Sequence, residues 1–142
     1  MTTILFCHGA SDRLQAGTNW LHQLVPSSTE TLVYVPDKGQ LERLDQLLWT
    51  RFPHSFLPHC HINSPLAPET PVLLSNSLQN IPQGERLLNL SDELPEGFSR
   101  FKELIEIISQ DEAVRLPARD RVKFYKDRGY EIQYRDLQKE PL

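Results

Sequence analysis

TILFCHGASDRLQAGTNWLHQLVPSSTETLVYVPDKGQLERLDQLLWTR, residues 3–51, carries the argument for the architecture. Residues 3–7 (TILFC) form a short apolar, partly β-branched run closed by His8-Gly9, which predicts a first strand. Ser11 and Asp12 supply N-cap chemistry for a helix reaching about residue 25, with Gly17 a weak point in its middle. Residues 31–35 (TLVYV) are mostly apolar, as in a strand buried on both faces of a mostly parallel sheet. A patterned helix over residues 38–51 follows and stops before Pro53. Strand, helix, strand, helix within one short stretch predicts βαβ units and an α/β layer architecture.

The rest of the chain fits around that start. Six of the eleven prolines (Pro53, Pro58, Pro65, Pro68, Pro71 and Pro82) punctuate the middle, so residues 53–85 read as irregular connections around one strand at 71–75 (PVLLS). A further strand is predicted at 86–90 (RLLNL). Residues 102–108 (KELIEII) suit helix or strand by periodicity; the isoleucines and the helix signal from Asp111 onward favour strand. The last helix spans about 111–128 and ends at Gly129, and 130–134 (YEIQY) alternates as a closing strand.

At 142 residues and 16.4 kDa, one domain over residues 1–142 is expected, with 39% hydrophobic residues enough for one core. No apolar run approaches the roughly 20 residues of a membrane-spanning helix, and the N-terminus lacks a basic region followed by a long apolar stretch. Cys7 and Cys60 are too few for a disulfide framework and have no CxxC spacing. The expectation is a cytoplasmic protein in a reducing setting, with no membrane partner.

The net charge of −4 hides a division. Residues 115–135 hold seven basic side chains against three acidic ones, a net of +4, whereas the remainder holds eight against sixteen, a net of −8. A local basic stripe on an acidic protein suggests one local anionic partner. On a helical projection Arg115, Arg119, Val122, Lys123 and Lys126 share a face, while Ala118, Phe124 and Tyr125 point toward the sheet. Arg121 falls among the inward residues and needs a carboxylate partner or an outward reach. A basic face holding one apolar residue suits an acidic peptide with a hydrophobic group, a phosphate backbone, or plain solvation. If the helix proper starts at Pro117, Arg115 belongs to the preceding turn.

In the second helix Leu41, Leu44, Leu47 and Leu48 form the core stripe, and Trp49 lies roughly 130° from its middle. Phe52 and Phe56 follow in the Pro-flanked loop. The cluster is either a protein-binding patch or is covered by sheet or loop from another side.

Catalytic signatures are sparse. His59-Cys60-His61 are adjacent and cannot all face one ion, so a loop or surface role is expected and no metal is assigned. Cys7-His8-Gly9 stands at a strand end, where α/β folds bind ligands, yet the chain has no GxGxxG, GxxxxGK[ST] or GxSxG. A nucleotide- or metal-dependent enzyme built around His8 is the alternative reading. Direct binding of single-stranded DNA by the basic face is a third, disfavoured because Phe124 and Tyr125 are expected to pack inward and leave few stacking platforms.

RLDQLLWTRFPHSFLPH (43–59), PVLLS (71–75) and ARDRVKFYKDRGYEIQ (118–133), in this order and spacing, resemble the chi subunit family of bacterial DNA polymerase III holoenzyme. The resemblance implies a Rossmann-like three-layer α/β fold without a nucleotide-binding Gly-rich loop, and a non-catalytic accessory role without cofactor. It implies two protein partners: the psi subunit, which links chi to the clamp loader, and the acidic, Phe-ending tail of single-stranded DNA-binding protein. Trp49, Phe52 and Phe56, with Leu57 and Pro58 as neighbours, match the psi contacts. Arg115, Arg119, Val122, Lys123 and Lys126 match the tail-binding face, with Ile108 lining it. Val122 stands where the family can carry an aromatic, which implies a shallower pocket. No functional residue carries over from residues 1–36.

Overall fold

The computed structural model describes residues 1–23, 30–54, 56–81 and 83–140. In chain order these form β1 (Thr3–Ala10), α1 (Arg13–Gln23), β2 (Thr31–Tyr34), α2 (Lys38–Thr50), β3 (His59–His61), β4 (Val72–Ser75), β5 (Gly84–Asn89), β6 (Phe101–Ser109), α3 (Glu112–Asp127) and β7 (Ile132–Asp136). Short 3₁₀ turns occur at Ala67–Glu69 and Phe98–Arg100. The seven strands make one wholly parallel sheet in the order β3-β4-β2-β5-β6-β1-β7.

Alternate strand residues separate the two faces. Cys7, Val33, Leu88, Ile105 and Ile107 meet Leu14 and Leu21 of α1 and Leu44 and Leu48 of α2. Ile4, Leu87 and Leu104 meet Tyr125 of α3, while Phe6 and Ile108 meet Ala118. Three layers result, with α3 alone on its side and the 62–101 connections completing that cover through Leu78 and Phe98. This is a Rossmann-like α/β fold: the opening stretch predicts its α/β layers, and the family resemblance implies its Rossmann-like form.

Local chemistry sets the helix limits. Asp12 Oδ1 accepts from Gln15 N–H at 3.1 Å and starts α1; the predicted end near residue 25 lies outside the described residues. Gly17 permits close packing, since a Cβ there would stand 3.1 Å from Leu90 Cδ1. Asp37 caps α2 through Gly39 N–H at 2.8 Å. Asp111 caps α3 through Ala113 N–H at 3.1 Å, so the helix begins before Pro117 and carries that proline inside it. Pro117 removes the N–H owed to Ala113, an exposed position where water can serve the carbonyl. Arg115 is therefore helical.

Several elements differ from expectation, and β5 spans Gly84–Asn89 rather than 86–90. β1 continues to Ala10 through an irregular register after Cys7, and β7 begins two residues later than read. The delay follows from the helix end: Tyr130 N–H bonds Tyr125 O and Gly129 N–H bonds Lys126 O, both at 3.0 Å, with Gly129 left-handed. The largest difference is β3. His59-Cys60-His61 was expected as a loop or surface segment, but it pairs with β4 as an edge strand, and His59 is buried.

Chain connections place a crevice. The adjacent strands β6 and β1 send their following helices to opposite faces of the sheet, so their carboxyl ends flank a topological switch point.

Candidate functional site

Two surfaces collect the exposed recognition chemistry, one on each face of the sheet.

The first surrounds α3. Arg115, Arg119, Lys123 and Lys126 are exposed, and none is ion-paired with a carboxylate among the described residues. Between the N-terminal half of α3 and the ends of β1 and β6 lies a cavity of about 470 Å³, lined by Phe6, His8, Ile108, Ser109, Arg115 and Arg119 among others. Ile108 is 1% exposed and forms its apolar floor with Phe6; Val122 packs half-buried on the same cluster. Cationic rim above apolar floor is an arrangement that can hold a carboxylate and an apolar group together.

The opposite side of α3 explains why its outer face is so well placed. Glu106 is fully buried on β6. It accepts from Arg121 Nε at 2.9 Å, Arg121 Nη2 at 3.0 Å, the Tyr125 hydroxyl at 2.7 Å and Asn89 Nδ2 at 3.0 Å. Arg121 has thus found the carboxylate that its inward position required. Burial pulls the Arg121 guanidinium toward neutrality, but the Glu106 charge outweighs it and the net shift is upward. The Tyr125 phenol is pushed far above its ordinary range by burial first, then by Glu106. Beside this network Arg13 of α1 bonds the carbonyl of Ile107 at 3.0 Å and pairs with Asp92 at 3.0 Å. Sheet and helix layers are therefore pinned together beneath the crevice.

The second surface lies at the end of α2 and in the loop after it. Trp49 is 56% exposed, Phe56 57% and Phe52 36%, so the aromatic cluster stands open rather than covered. Trp49 and Phe56 rings are 5.1 Å apart, and both lean on His59, at 5.1 and 6.3 Å. His59 lies within 2.7 Å of Leu57 O through Nδ1 and 3.0 Å of Asp45 Oδ1 through Nε2. The buried imidazole thereby props the exposed rings. Phe52 packs against His22 with ring centroids 4.5 Å apart and planes tilted by 58°, and Arg51 lies over it at 5.6 Å. Both ring nitrogens of His22 are buried without a hydrogen-bond partner among the described residues, and burial lowers its pKa, followed by the His59 charge. Pro58 is exposed at the patch margin. Leu57 departs from expectation: it is 3% exposed and packs in the core with Leu44 and Leu48, anchoring the loop from within instead of facing a partner.

The strand ends have their own geometry. Cys7 is buried, and burial pushes its thiol up to about 11 against a smaller opposing pull from Arg135, so it is held as a thiol and is a poor nucleophile. His61 Nδ1 accepts from Asn63 N–H at 3.1 Å, and among the described residues no three of His, Cys, Asp and Glu converge on a common point. His8, which the sequence offered only as part of an enzyme, lines the α3 cavity instead. Two further residues were missed. Glu106 belongs to an ambiguous run whose facing could not be read, and Tyr134 is 52% exposed beside Lys126. Tyr125 is buried and Phe124 half-buried, so exposed rings on this face are few, as expected, and Tyr134 is one that the reading left out; the YEIQY alternation, which puts it on the side of Ile132, was the available signal.

Together these define a class: a Rossmann-like α/β protein whose helices, on opposite sides of a parallel sheet, carry an exposed cationic surface and an exposed aromatic one. The family described as "DNA polymerase III chi subunit, HolC" matches residues 1–133. The chain belongs to this family of replication accessory subunits. It is 30% identical over 125 residues to the DNA polymerase III subunit chi of Pseudomonas aeruginosa, covering 87% of this chain and 85% of that one. Its identity to the chi subunit of Haemophilus influenzae is 27% over 107 residues, covering 75% and 74% of the two chains. With the Escherichia coli chi subunit it shares 25% over 134 residues, covering 90% and 80%.

Proposed function

We propose that this chi-family protein is an adaptor in DNA replication, working in the cytoplasm as part of the polymerase III assembly. One face takes the acidic C-terminal tail of single-stranded DNA-binding protein, and the other joins the psi subunit and through it the clamp loader. The observation that carries the reading is the α3 cavity, where Arg115 and Arg119, without ion pairs among the described residues, stand over a floor made by Ile108 and Phe6. Carboxylates of the tail bond the guanidinium groups, with Lys123 and Lys126 adding attraction along the helix, while the terminal Phe enters the apolar part next to Val122. Psi docks on Trp49, Phe56, Phe52 and Pro58, whose large exposed rings supply the desolvation that hot spots depend on.

The test is a fluorescence-anisotropy titration against a labelled tail peptide with and without its terminal Phe. Binding that requires the Phe and weakens with salt supports the adaptor; absence of binding at low salt removes it.

A further inference from the structure

We propose that a polar trough on the α1 side of the switch point holds the main chain of the tail peptide upstream of its anchored end; this rests on the tail-capture function above. The trough is a cavity of about 270 Å³ between α1 and the ends of β1, β6 and β7. It lies across the sheet from the α3 cavity, and Gly9, Gln110 and Gln138 line both. These three residues form a sill between the two. Gln110 Nε2 donates to Gly9 O at 3.1 Å and fixes it. Gly9 itself has φ 81° and no side chain, whereas a Cβ there would press on Gln138 Cγ at 3.3 Å. A chain leaving the arginines over this sill enters the trough directly.

The chemistry of the trough fits a peptide main chain. Its floor is made by the small, buried Ala10 and Ala16 with Leu137, so no bulky side chain fills it. Its walls carry carboxamides: Gln15 and Asn19, one helical turn apart on α1, face the Gln110 and Gln138 of the sill. The side chains of Gln15 and Gln138 bond no other described residue. Each carboxamide presents a donor and an acceptor, the complement of a peptide unit, and an extended chain that loses water must keep its N–H and C=O groups bonded. A phosphate backbone would need cations, and the lining holds none. The one charge there is Asp12, already engaged by Gln15 N–H at 3.1 Å and by Arg43 at 3.5 Å. The α3 cavity thus reads charge and the trough reads backbone.

A length series tests the assignment. Two tail peptides with the same C-terminal end are titrated, one of about five residues and one of about ten, which extends to roughly 33 Å and can cross the end of the sheet. The longer peptide should bind wild type roughly 10-fold tighter, the effect of one or two net hydrogen bonds. That gain should survive added salt and replacement of the upstream side chains by Ala, and should vanish when the upstream amides are N-methylated. Gln15→Ala combined with Asn19→Ala should cut the gain to about 2-fold and leave the short peptide unchanged. A gain that disappears with salt or with the upstream side chains belongs to charge and overturns the assignment, as do equal losses for both peptides in the double variant. If the two peptides bind alike and Arg119→Glu weakens both, the tail site stands and the trough is lost. Wild type binding neither peptide would remove both readings. Loss of oligothymidylate binding in the double variant, with the length gain intact, would give the trough to nucleic acid and overturn the assignment.

Discussion

The α3 face and the α2 face are both exposed, yet they are built in opposite ways. Beneath α3 lies buried charge: Glu106 holds Arg121, Tyr125 and Asn89 at once. Beneath the α2 patch lies a nearly apolar support, with His59 set under Trp49 and Phe56, and Leu57 sunk in the core. The outer surfaces follow suit, one cationic and one aromatic. A charged face has to be held in register, because charge-assisted hydrogen bonds depend on angle and distance. An aromatic face gains most of its energy from area removed from water and tolerates small shifts. Placing them on opposite sides of one sheet leaves both free for simultaneous use.

Removing the buried carboxylate should give the largest effect. Glu106→Ala strands the Arg121 guanidinium in the core, and breaking a buried pair costs about 3–5 kcal/mol. Against a typical domain stability of about 5–15 kcal/mol this is severe, and urea unfolding should show a strongly lowered midpoint. Asp45→Ala beneath the aromatic face should cost far less, since the Asp45 side chain is 48% exposed to water. Similar midpoints for the two variants would erase the distinction between the supports.

Next comes the aromatic face itself. Trp49→Ala should weaken docking of the proposed psi partner by about 2 kcal/mol or more, in the hot-spot range. Its effect on unfolding should stay within about 1 kcal/mol, because more than half of the ring is already in water. Co-purification that survives the substitution would count against this patch.

Salt should separate the faces further. Arg119→Glu should weaken tail binding by about 1.5–3 kcal/mol, the range of a hydrogen bond to a charged group. Raising ionic strength should weaken the wild-type tail complex and leave docking at Trp49 nearly unchanged. Equal salt slopes at the two faces would mean that the basic residues do not set the first interaction.

How far this division was legible in the sequence depends on the range of the interactions involved. α2, α3, β2 and β4 follow from local pattern and caps, and each was readable. The basic stripe was readable because helical spacing alone brings Arg115, Arg119, Lys123 and Lys126 together. Trp49 was readable as off the core stripe, though its exposure needed the absence of a covering element. β3 was not legible: three residues containing two histidines become a strand only through pairing with β4 and the bond between His59 and Asp45. Glu106 was hidden for a related reason, since its facing depended on whether residues 102–108 were helix or strand. Leu57 was grouped with the psi contacts only as a neighbour of the aromatics, whereas an extended chain turns successive side chains in opposite directions and Leu57 is buried. His8 and Phe6 joined the site only once β1 was set beside β6.

The smallest predicted difference concerns pH, and it should fall on the aromatic side. His22 packs on Phe52 with neither ring nitrogen hydrogen-bonded to a described residue, and burial, then the His59 charge, lower its folded pKa. A lowered imidazole pKa means that the folded state favours the neutral ring. Its contribution is therefore fully present above the ordinary unfolded value, about 6.5, and is lost as pH falls through that value toward the folded one. Tyr125 responds at the other extreme: its raised pKa favours the neutral phenol, so stability at the α3 network is lost as pH climbs past the ordinary phenol value near 10. Acid thus loosens the surroundings of the aromatic face, and alkali loosens the support of the basic one. His22→Gln should flatten the fall in unfolding free energy between about pH 7 and 5 while leaving the alkaline limb intact. An unchanged acid limb in that variant would assign the loss to other groups and remove His22 from the contrast.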